Sequence, residues 1–306
     1  MEENELDSET IRKYAMETGA AAYAALQKAK QLVKPGAKLV DVADALEAFI
    51  RGKGLETAFP VNLSINAQAA HYAPGMDDAL AFSDRDIVKV DLGAAKDGVL
   101  SDCAVTIDLT GKLQGLVEAT QEALAAAIGT VKAGVRVSDI GKAIEAAIAK
   151  KGFKPIQNLG GHGLGIHDLH SEPFIPNYDN GDDTTLEEGD LIAIEPFATT
   201  AEGRGYVANS DIREIFSFVE EVQVRMPGAR SLMAAISEHY PSEPFAARWL
   251  AKDASSRFAL YSSLGALANA GALEVHPMLI EIGGGMVSQA EASVLVTKDS
   301  CEVTTK

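Results

Sequence analysis

The chain has 306 residues, 47% of them hydrophobic and 23% charged, which suits one large domain or two ordinary ones with a sizeable core. Its 44 acidic against 27 basic residues give a formal charge of -17, which argues against a nucleic-acid surface, where clustered Lys and Arg are needed, and weakly against an anionic membrane. No apolar run reaches the ~20 residues of a membrane helix. The opening Met-Glu-Glu-Asn-Glu-Leu-Asp lacks the basic and apolar regions of a signal peptide, and the two cysteines, Cys103 and Cys301, have no zinc-type spacing. A cytoplasmic location with free thiols is therefore expected.

Periodicity predicts helices over about 8–33 and 40–53, then strands over about 60–66, 86–92 and 99–109. The last two strands flank Lys96-Asp97-Gly98, a turn signal. A hairpin folded there brings Asp91 and Asp102 opposite or nearly opposite each other. Cross-strand neighbours have Cβ atoms roughly 4.5–5.5 Å apart, and like charges at that distance are destabilising. Apolar neighbours imply partial burial, which raises the cost further. A bound cation would resolve the conflict, whereas two unrelated acids on a solvated hairpin would need none. Cys103 follows Asp102 on the strand, points to the opposite face, and reads as core filler.

Helices at about 114–131 and 138–151 come next, and they repeat the first pair. Val33 to Gly54 aligns without a gap on Val131 to Gly152, with identities that include Gly36/Gly134, Asp41/Asp139, Glu47/Glu145 and Ile50/Ile148. A second echo links Asp86-Ile-Val-Lys-Val-Asp91 to Asp190-Leu-Ile-Ala-Ile-Glu195. Two copies are too few for a solenoid. They predict two similar halves packed about a pseudo-twofold axis, with Asp91 and Glu195 at corresponding strand ends facing a shared centre.

The second half is expected to carry strands near 156–160, 191–199 and 285–297, giving an α+β pattern with a largely antiparallel sheet and helices on its outer face. Between the last two strands, the segment 207–274 breaks the pattern and reads as a helical insertion, with helices near 229–240, 243–252 and 256–271.

Three of the six histidines, His162, His167 and His170, fall in Gly160-Gly-His-Gly-Leu-Gly-Ile-His-Asp-Leu-His170. Glycine on both sides of His162 lets the backbone approach whatever its imidazole holds. His71 stands in Asn66-Ala-Gln-Ala-Ala-His-Tyr72, His239 reads as a structural helix residue, and Glu291 lies inside a strand-like run. Asp91, Asp102, His162, Glu195 and Glu291 thus form a candidate set of four carboxylates and one imidazole. That donor set favours Mn, Fe, Co or Zn, and four negative charges match two divalent ions. Sites with two ions about 3.5–4 Å apart serve hydrolysis, aminopeptidases being among the stock examples.

These residues lie in motifs that resemble those of the methionine aminopeptidases, in the type 2 form of archaea and eukaryotes: Ala58-Phe-Pro-Val-Asn-Leu-Ser-Ile-Asn-Ala-Gln-Ala-Ala-His71, Val90-Asp-Leu-Gly93 with Ser101-Asp-Cys103, Gly161-His-Gly163, Ala193-Ile-Glu-Pro-Phe197 and Ser288-Gln-Ala-Glu291. The resemblance runs from about residue 8 to 303. It implies the pita-bread (creatinase/aminopeptidase) α+β fold, a single catalytic domain over 1–306 whose halves are related by pseudo-twofold symmetry, with 207–274 as the type 2 helical insertion.

It also implies removal of the initiator methionine from nascent polypeptides when the second residue is small, by a monomer that passes transiently near the ribosome and binds neither nucleic acid nor membrane. The cofactor would be two divalent ions (Co, Mn, Fe or Zn) sharing a bridging water or hydroxide. Asp91 would bind one ion, Asp102 and Glu291 would bridge, and His162 and Glu195 would complete the other sphere. His71 would contact the scissile amide near the leaving nitrogen, His170 would steady the carbonyl oxygen, and Glu195 would accept the proton. Phe59 and Leu169 would wall the methionine pocket, and His276 would line it where some relatives have Tyr. One departure stands out: after the last bridging glutamate the family usually reads His-Thr, and here the residues are Ala292-Ser293.

Two other readings are open. Xaa-Pro peptidases of the same fold share the ligand set but usually add an N-terminal domain, and only about 58 residues precede the first motif here. Non-catalytic relatives that bind RNA or protein have typically lost ligands, whereas all five candidates are present in this chain.

Overall fold

The computed structural model describes residues 6–306. Helix α1 (Ser8–Leu32) starts where the Asp7 carboxylate accepts the Thr10 N–H at 2.8 Å, a side-chain N-cap. Helix α2 (Leu39–Arg51) follows and buries Leu39, Val42, Ala43, Leu46 and Ile50, a stripe at helical spacing. Both pack on a three-stranded antiparallel sheet of Asn62–Ile65, Ile87–Leu92 and Cys103–Asp108, with Ile87–Leu92 in the centre.

The second half repeats the scheme. Helices α3 (Gln114–Ile128) and α4 (Val137–Lys150) bury Leu116, Ile140, Ile144 and Ile148 against Ile192, Ile194 and Val294. Their sheet has five antiparallel strands, in the order Asp168–Pro176, Gly160–Gly165, Leu191–Ile194, Ala292–Val296 and Cys301–Val303. Cys103 is a buried free thiol, 1% exposed, in the core of the first half.

The halves meet along one line. Ala104 and Glu291 exchange both backbone hydrogen bonds, Ala104 N–H to Glu291 O at 3.4 Å and Glu291 N–H to Ala104 O at 3.1 Å. They are the hydrogen-bonded pair of an antiparallel ladder, one strand from each half.

The segment from Val207 has its own core, built from Phe216, Leu232, Ile236, Phe245, Leu250, Leu260, Leu264 and Leu273. Helices α5 (Pro227–His239) and α6 (Arg257–Asn269) are as expected, but the segment is not helical throughout. Strands Val207–Asn209, Ile215–Phe218 and Leu273–His276 frame it. The helix expected at 243–252 is a short strand, Phe245–Ala246, running into a 3-10 helix, Ala247–Asp253. Pairing of Phe216 with Phe245 across the sheet takes those residues out of any helix. Among the described residues no helix is long and apolar enough to cross a membrane.

Two further expectations are corrected. The hairpin turn is Asp97-Gly98, both at positive φ (47° and 80°), as a two-residue turn requires. The register is therefore shifted: Asp91 lies across from Ala104, and Asp102 sits diagonally, two residues back, on the same face. In place of the strand expected at 156–160, the hairpin Gly160–Gly165 and Asp168–Pro176 carries His162 at its middle. Its glycines are needed for close strand packing rather than for a loop. A Cβ on Gly161 would collide with the Ala193 carbonyl, and one on Gly163 with that of Glu172.

Candidate metal centre and substrate pocket

Three of the four acids sit where a strand is interrupted. Asp102 lies between Val99–Leu100 and Cys103–Asp108, Glu195 between Leu191–Ile194 and Phe197–Thr199, and Glu291 between Val287–Gln289 and Ala292–Val296. All four carboxylates lie close to the line where the halves meet. Asp91 comes from the central strand of the first sheet, and His162 from a strand paired to the one that ends before Glu195.

The donor atoms converge. Asp102, His162 and Glu291 each offer one ligand atom, all within 4.8 Å of one another, and all three residues are buried. His162 Nδ1 lies 3.1 Å from the Gly163 carbonyl. A proton held there leaves Nε2 as a lone-pair donor, 3.7 Å from Asp102 Oδ2 and 4.0 Å from Glu195 Oε1.

Electrostatics give the fit test. Burial, opposed by hydrogen bonds from Gln289 and Asp102, pushes the Asp91 carboxyl up to about 6. Burial first, then their mutual repulsion, pushes Asp102, Glu195 and Glu291 well above the usual carboxylate range. Asp91 Oδ1, Asp102 Oδ1 and Glu291 Oε1 are buried with no hydrogen-bond partner among the described residues. Buried acceptors without donors are costly, and oxygen-rich clusters of this kind are what hard or borderline divalent cations take. The residues present fit such an ion.

A cavity of about 380 Å³ opens over the cluster. Phe59, Ala70, Leu159, Leu169 and Phe197 give it apolar walls, and His71, His170 and His276 line it as well. The His170 ring packs edge-on against His162 at 4.6 Å, and the His71 ring meets His276 at 6.2 Å. Burial pushes His71 and His162 down to about 3, helped by neighbouring histidines. The same burial lowers His170 and His276, so all four rings are neutral at pH 7. His71 adopts φ 62°, strained for a non-glycine residue, and its Nδ1 is buried without a partner. His276 Nε2 is 2.8 Å from the Ser217 hydroxyl.

The structure brings all ten candidate residues to one place, Glu291 forming the floor beneath the other nine, which line the cavity. His167 and His239 stay out of it. His167 pairs with Glu243 at 2.7 Å at a hairpin tip, and His239 is exposed.

One residue was missed by the sequence reading. The Gln289 amide Nε2 lies 3.2 Å from Asp91 Oδ2, 3.1 Å from Glu195 Oε2 and 3.4 Å from Glu291 Oε2. It is 1% exposed and donates to three of the four carboxylates. The only signal was its place two residues before Glu291, which puts both side chains on one face of a strand.

Two antiparallel halves, each backed by a helix pair and sharing a buried carboxylate–histidine cluster at their junction, define a metallopeptidase of the pita-bread fold. The comparisons agree: the model of metallopeptidase family M24 matches residues 13–225. The chain is 44% identical over 296 residues to a methionine aminopeptidase of Archaeoglobus fulgidus, covering 97% of this chain and 99% of that one. It is 41% identical to one of Methanocaldococcus jannaschii, covering 95% and 97%. Among solved structures, a methionine aminopeptidase of Thermotoga maritima shares the fold at TM-score 0.70 and 24% identity, with full coverage of both chains. A thermophilic Arx1 shares it at TM-score 0.84 and 15% identity, covering 98% of this chain and 91% of that one. The chain belongs to metallopeptidase family M24.

Proposed function

We propose that the protein is a type 2 methionine aminopeptidase, which hydrolyses the N-terminal methionine from nascent proteins and peptides when the second residue is small. The observation that carries this reading is the cavity with apolar walls that opens over a cluster of four acids and four histidines. A methionine side chain fits between Phe59, Leu169 and Phe197, and its amide then lies over the acids.

Asp91, Asp102, His162, Glu195 and Glu291 would hold two divalent ions, of Co, Mn, Fe or Zn. When bound, such ions supply Lewis acidity and a water acidified toward neutral pH. The chain's own residues supply the rest. Gln289 donates to Glu195 Oε2 and holds that carboxylate in place to take the proton released by the attacking water. Neutral His170 offers an N–H to the carbonyl oxygen as charge develops on it. Neutral His71, with an unpartnered ring nitrogen, holds the leaving amide nitrogen. The apolar walls exclude bulk water and strengthen each of these contacts.

The substrate would be the exposed N-terminus of a newly made chain, met in the cytoplasm near the ribosome by a monomer. The test is methionine release from Met-Ala-Ser by protein reconstituted with Co, Mn, Fe or Zn, alongside Met-Lys and Ala-Pro peptides. Cleavage of Met-Ala-Ser alone supports the reading. Cleavage of Ala-Pro alone would make the protein an Xaa-Pro peptidase. No cleavage with any of the four metals would sink the catalytic assignment.

A further inference from the structure

The line where the halves meet is built in an unusual way. At its centre Ala104 and Glu291 pair directly through their backbones. In a regular antiparallel ladder the next directly bonded pairs lie two residues away on each side: Thr106 with Gln289, and Asp102 with Ser293. In both places a side-chain hydroxyl stands where the backbone bonds belong. Thr106 Oγ1 accepts the Gln289 N–H at 2.8 Å and donates to the Gln289 carbonyl at 2.6 Å. Ser293 Oγ accepts the Asp102 N–H at 2.8 Å and donates to the Asp102 carbonyl at 2.7 Å. The two hydroxyls come from opposite halves, so the pseudo-twofold axis through Ala104 and Glu291 exchanges them.

An interposed hydroxyl holds the strands apart by more than a direct N–H to O=C bond, which spans only about 2.9 Å. The ladder therefore fans open on both sides of its central pair. On the Ser293 side the C-terminal segment fills the gap: Ser293 N–H donates to Thr305 Oγ1 at 3.1 Å, and Thr304 N–H donates to the Ser293 carbonyl at 2.9 Å. With the backbone of Ser293 engaged there, its hydroxyl is what ties the Asp102 backbone to the second half among the described residues. Asp102 lies in a strand interruption with no ladder partner of its own, so this tie fixes where its carboxylate stands relative to Glu291.

We infer that Ser293 and Thr106 are positioning residues: their hydroxyls wedge the two halves at a set spacing and hold the Asp102 and Gln289 backbones where the cluster needs them. The inference rests on the reading of that cluster as a two-ion site. It also explains why the departure Ala292-Ser293 is compatible with the site, because serine keeps the hydroxyl the wedge uses.

The experiment is calorimetric titration of metal-stripped full-length protein with manganese(II) chloride, with kcat and KM on Met-Ala-Ser measured in parallel. Residues that orient metal ligands change affinity by roughly 10–100-fold when lost. Ser293→Ala is expected to weaken binding of at least one ion by about tenfold or more and to lower kcat with KM little changed. Ser293→Thr, which keeps the hydroxyl, should bind within about twofold of wild type. Thr106→Val should weaken binding and Thr106→Ser should restore it, a pair that decides the matter even if Ser293→Ala does not fold. Two ions bound at wild-type affinity by a folded Ser293→Ala or Thr106→Val, with only thermal stability reduced, would overturn the wedge while leaving the two-ion reading intact. Wild-type protein that binds no manganese would overturn both.

Discussion

The two halves of the molecule are built on one plan and carry different chemistry. About the Ala104–Glu291 pair, Asp91 of the first half corresponds to Glu195 of the second, and Asp102 corresponds to Gln289. The first pair matches acid with acid. The second matches a buried acid with a buried amide, and that amide donates to three of the four carboxylates. A fully symmetric dimer of halves would gather like charges with nothing to separate them. Divergence at that position gave the centre a donor, while the fold that delivers the groups stayed the same.

The largest effect is expected from removing the acid of that unequal pair. Asp102→Asn should lose bound metal and with it more than about a hundredfold of activity. Elemental analysis showing two ions per chain in the variant would remove Asp102 from the ligand set. Stripping the metal from wild type should likewise abolish turnover and should reverse the pH dependence of stability. In stripped protein the Asp91 carboxyl is pushed up to about 6, and Asp102, Glu195 and Glu291 lie well above the usual range. The folded state thus keeps protons that the unfolded chain releases near pH 4. That stabilisation is present below about pH 4 and is lost as pH rises through 6. A bound cation favours the ionised forms instead, so the gap in melting temperature between loaded and stripped protein should widen from pH 5 to 7.5. A gap that narrows with pH would mean the acids are not the ligands.

Next is His71→Ala, expected to lower kcat by about a hundredfold, on the scale of single acid–base or electrostatic contributions, with two ions still bound. Turnover near the wild-type rate would leave His71 as a pocket wall only.

How much of this arrangement was legible in the sequence depended on period. The helix pairs and their duplication could be read because apolar stripes repeat every three to four residues, and α2 and α4 begin where the repeat places them. The acids could be read because charge inside an apolar strand demands a reason. Gly160-Gly-His-Gly-Leu-Gly165 was not legible as a strand, since its glycines answer to neighbouring carbonyls that sequence does not display. Strands Ile215–Phe218 and Leu273–His276 were missed because their partners lie far apart in sequence. Gln289 was overlooked because an amide carries no charge to explain.

A smaller effect should follow from making the unequal pair equal. Gln289→Glu removes the donor to Asp91 and Glu195 and adds a fifth buried carboxylate. Metal affinity and kcat/KM should fall by roughly tenfold, and the stripped variant should lose stability more steeply with rising pH than wild type. If Gln289→Glu matched wild type in both respects, the amide would be filler and the asymmetry without consequence.

The smallest effect tests the same comparison far from the acids. Glu47 and Glu145 occupy the same place in the duplicated helices α2 and α4, yet only one is sealed. Glu47 is 0% exposed and accepts from the Arg248 guanidinium, from Trp249 Nε1 at 2.8 Å and from the Val61 N–H at 3.2 Å. Arg248 also reaches the Pro74 carbonyl at 3.4 Å. Glu47 and Arg248 thus bind the 3-10 helix of the 207–274 segment to both chain stretches that border the pocket, one beside Phe59 and one beyond His71. Among the described residues Glu145 accepts only the Asp179 N–H at 3.3 Å, at the surface. Removing one partner of a buried ion pair costs about 3–5 kcal/mol when the other is left uncompensated; Asp44 also meets Arg248 Nε at 3.1 Å, so the loss here is smaller, yet larger than the roughly 0.5 kcal/mol within which a surface substitution usually stays. Glu47→Ala should therefore lower the urea midpoint clearly and Glu145→Ala barely. Because Glu47 holds Val61, its loss should also raise KM for Met-Ala-Ser more than it lowers kcat. Equal, small shifts in both variants would mean that the 207–274 segment rests on the first half without being fastened to it, and that the two copies of the glutamate still do the same work.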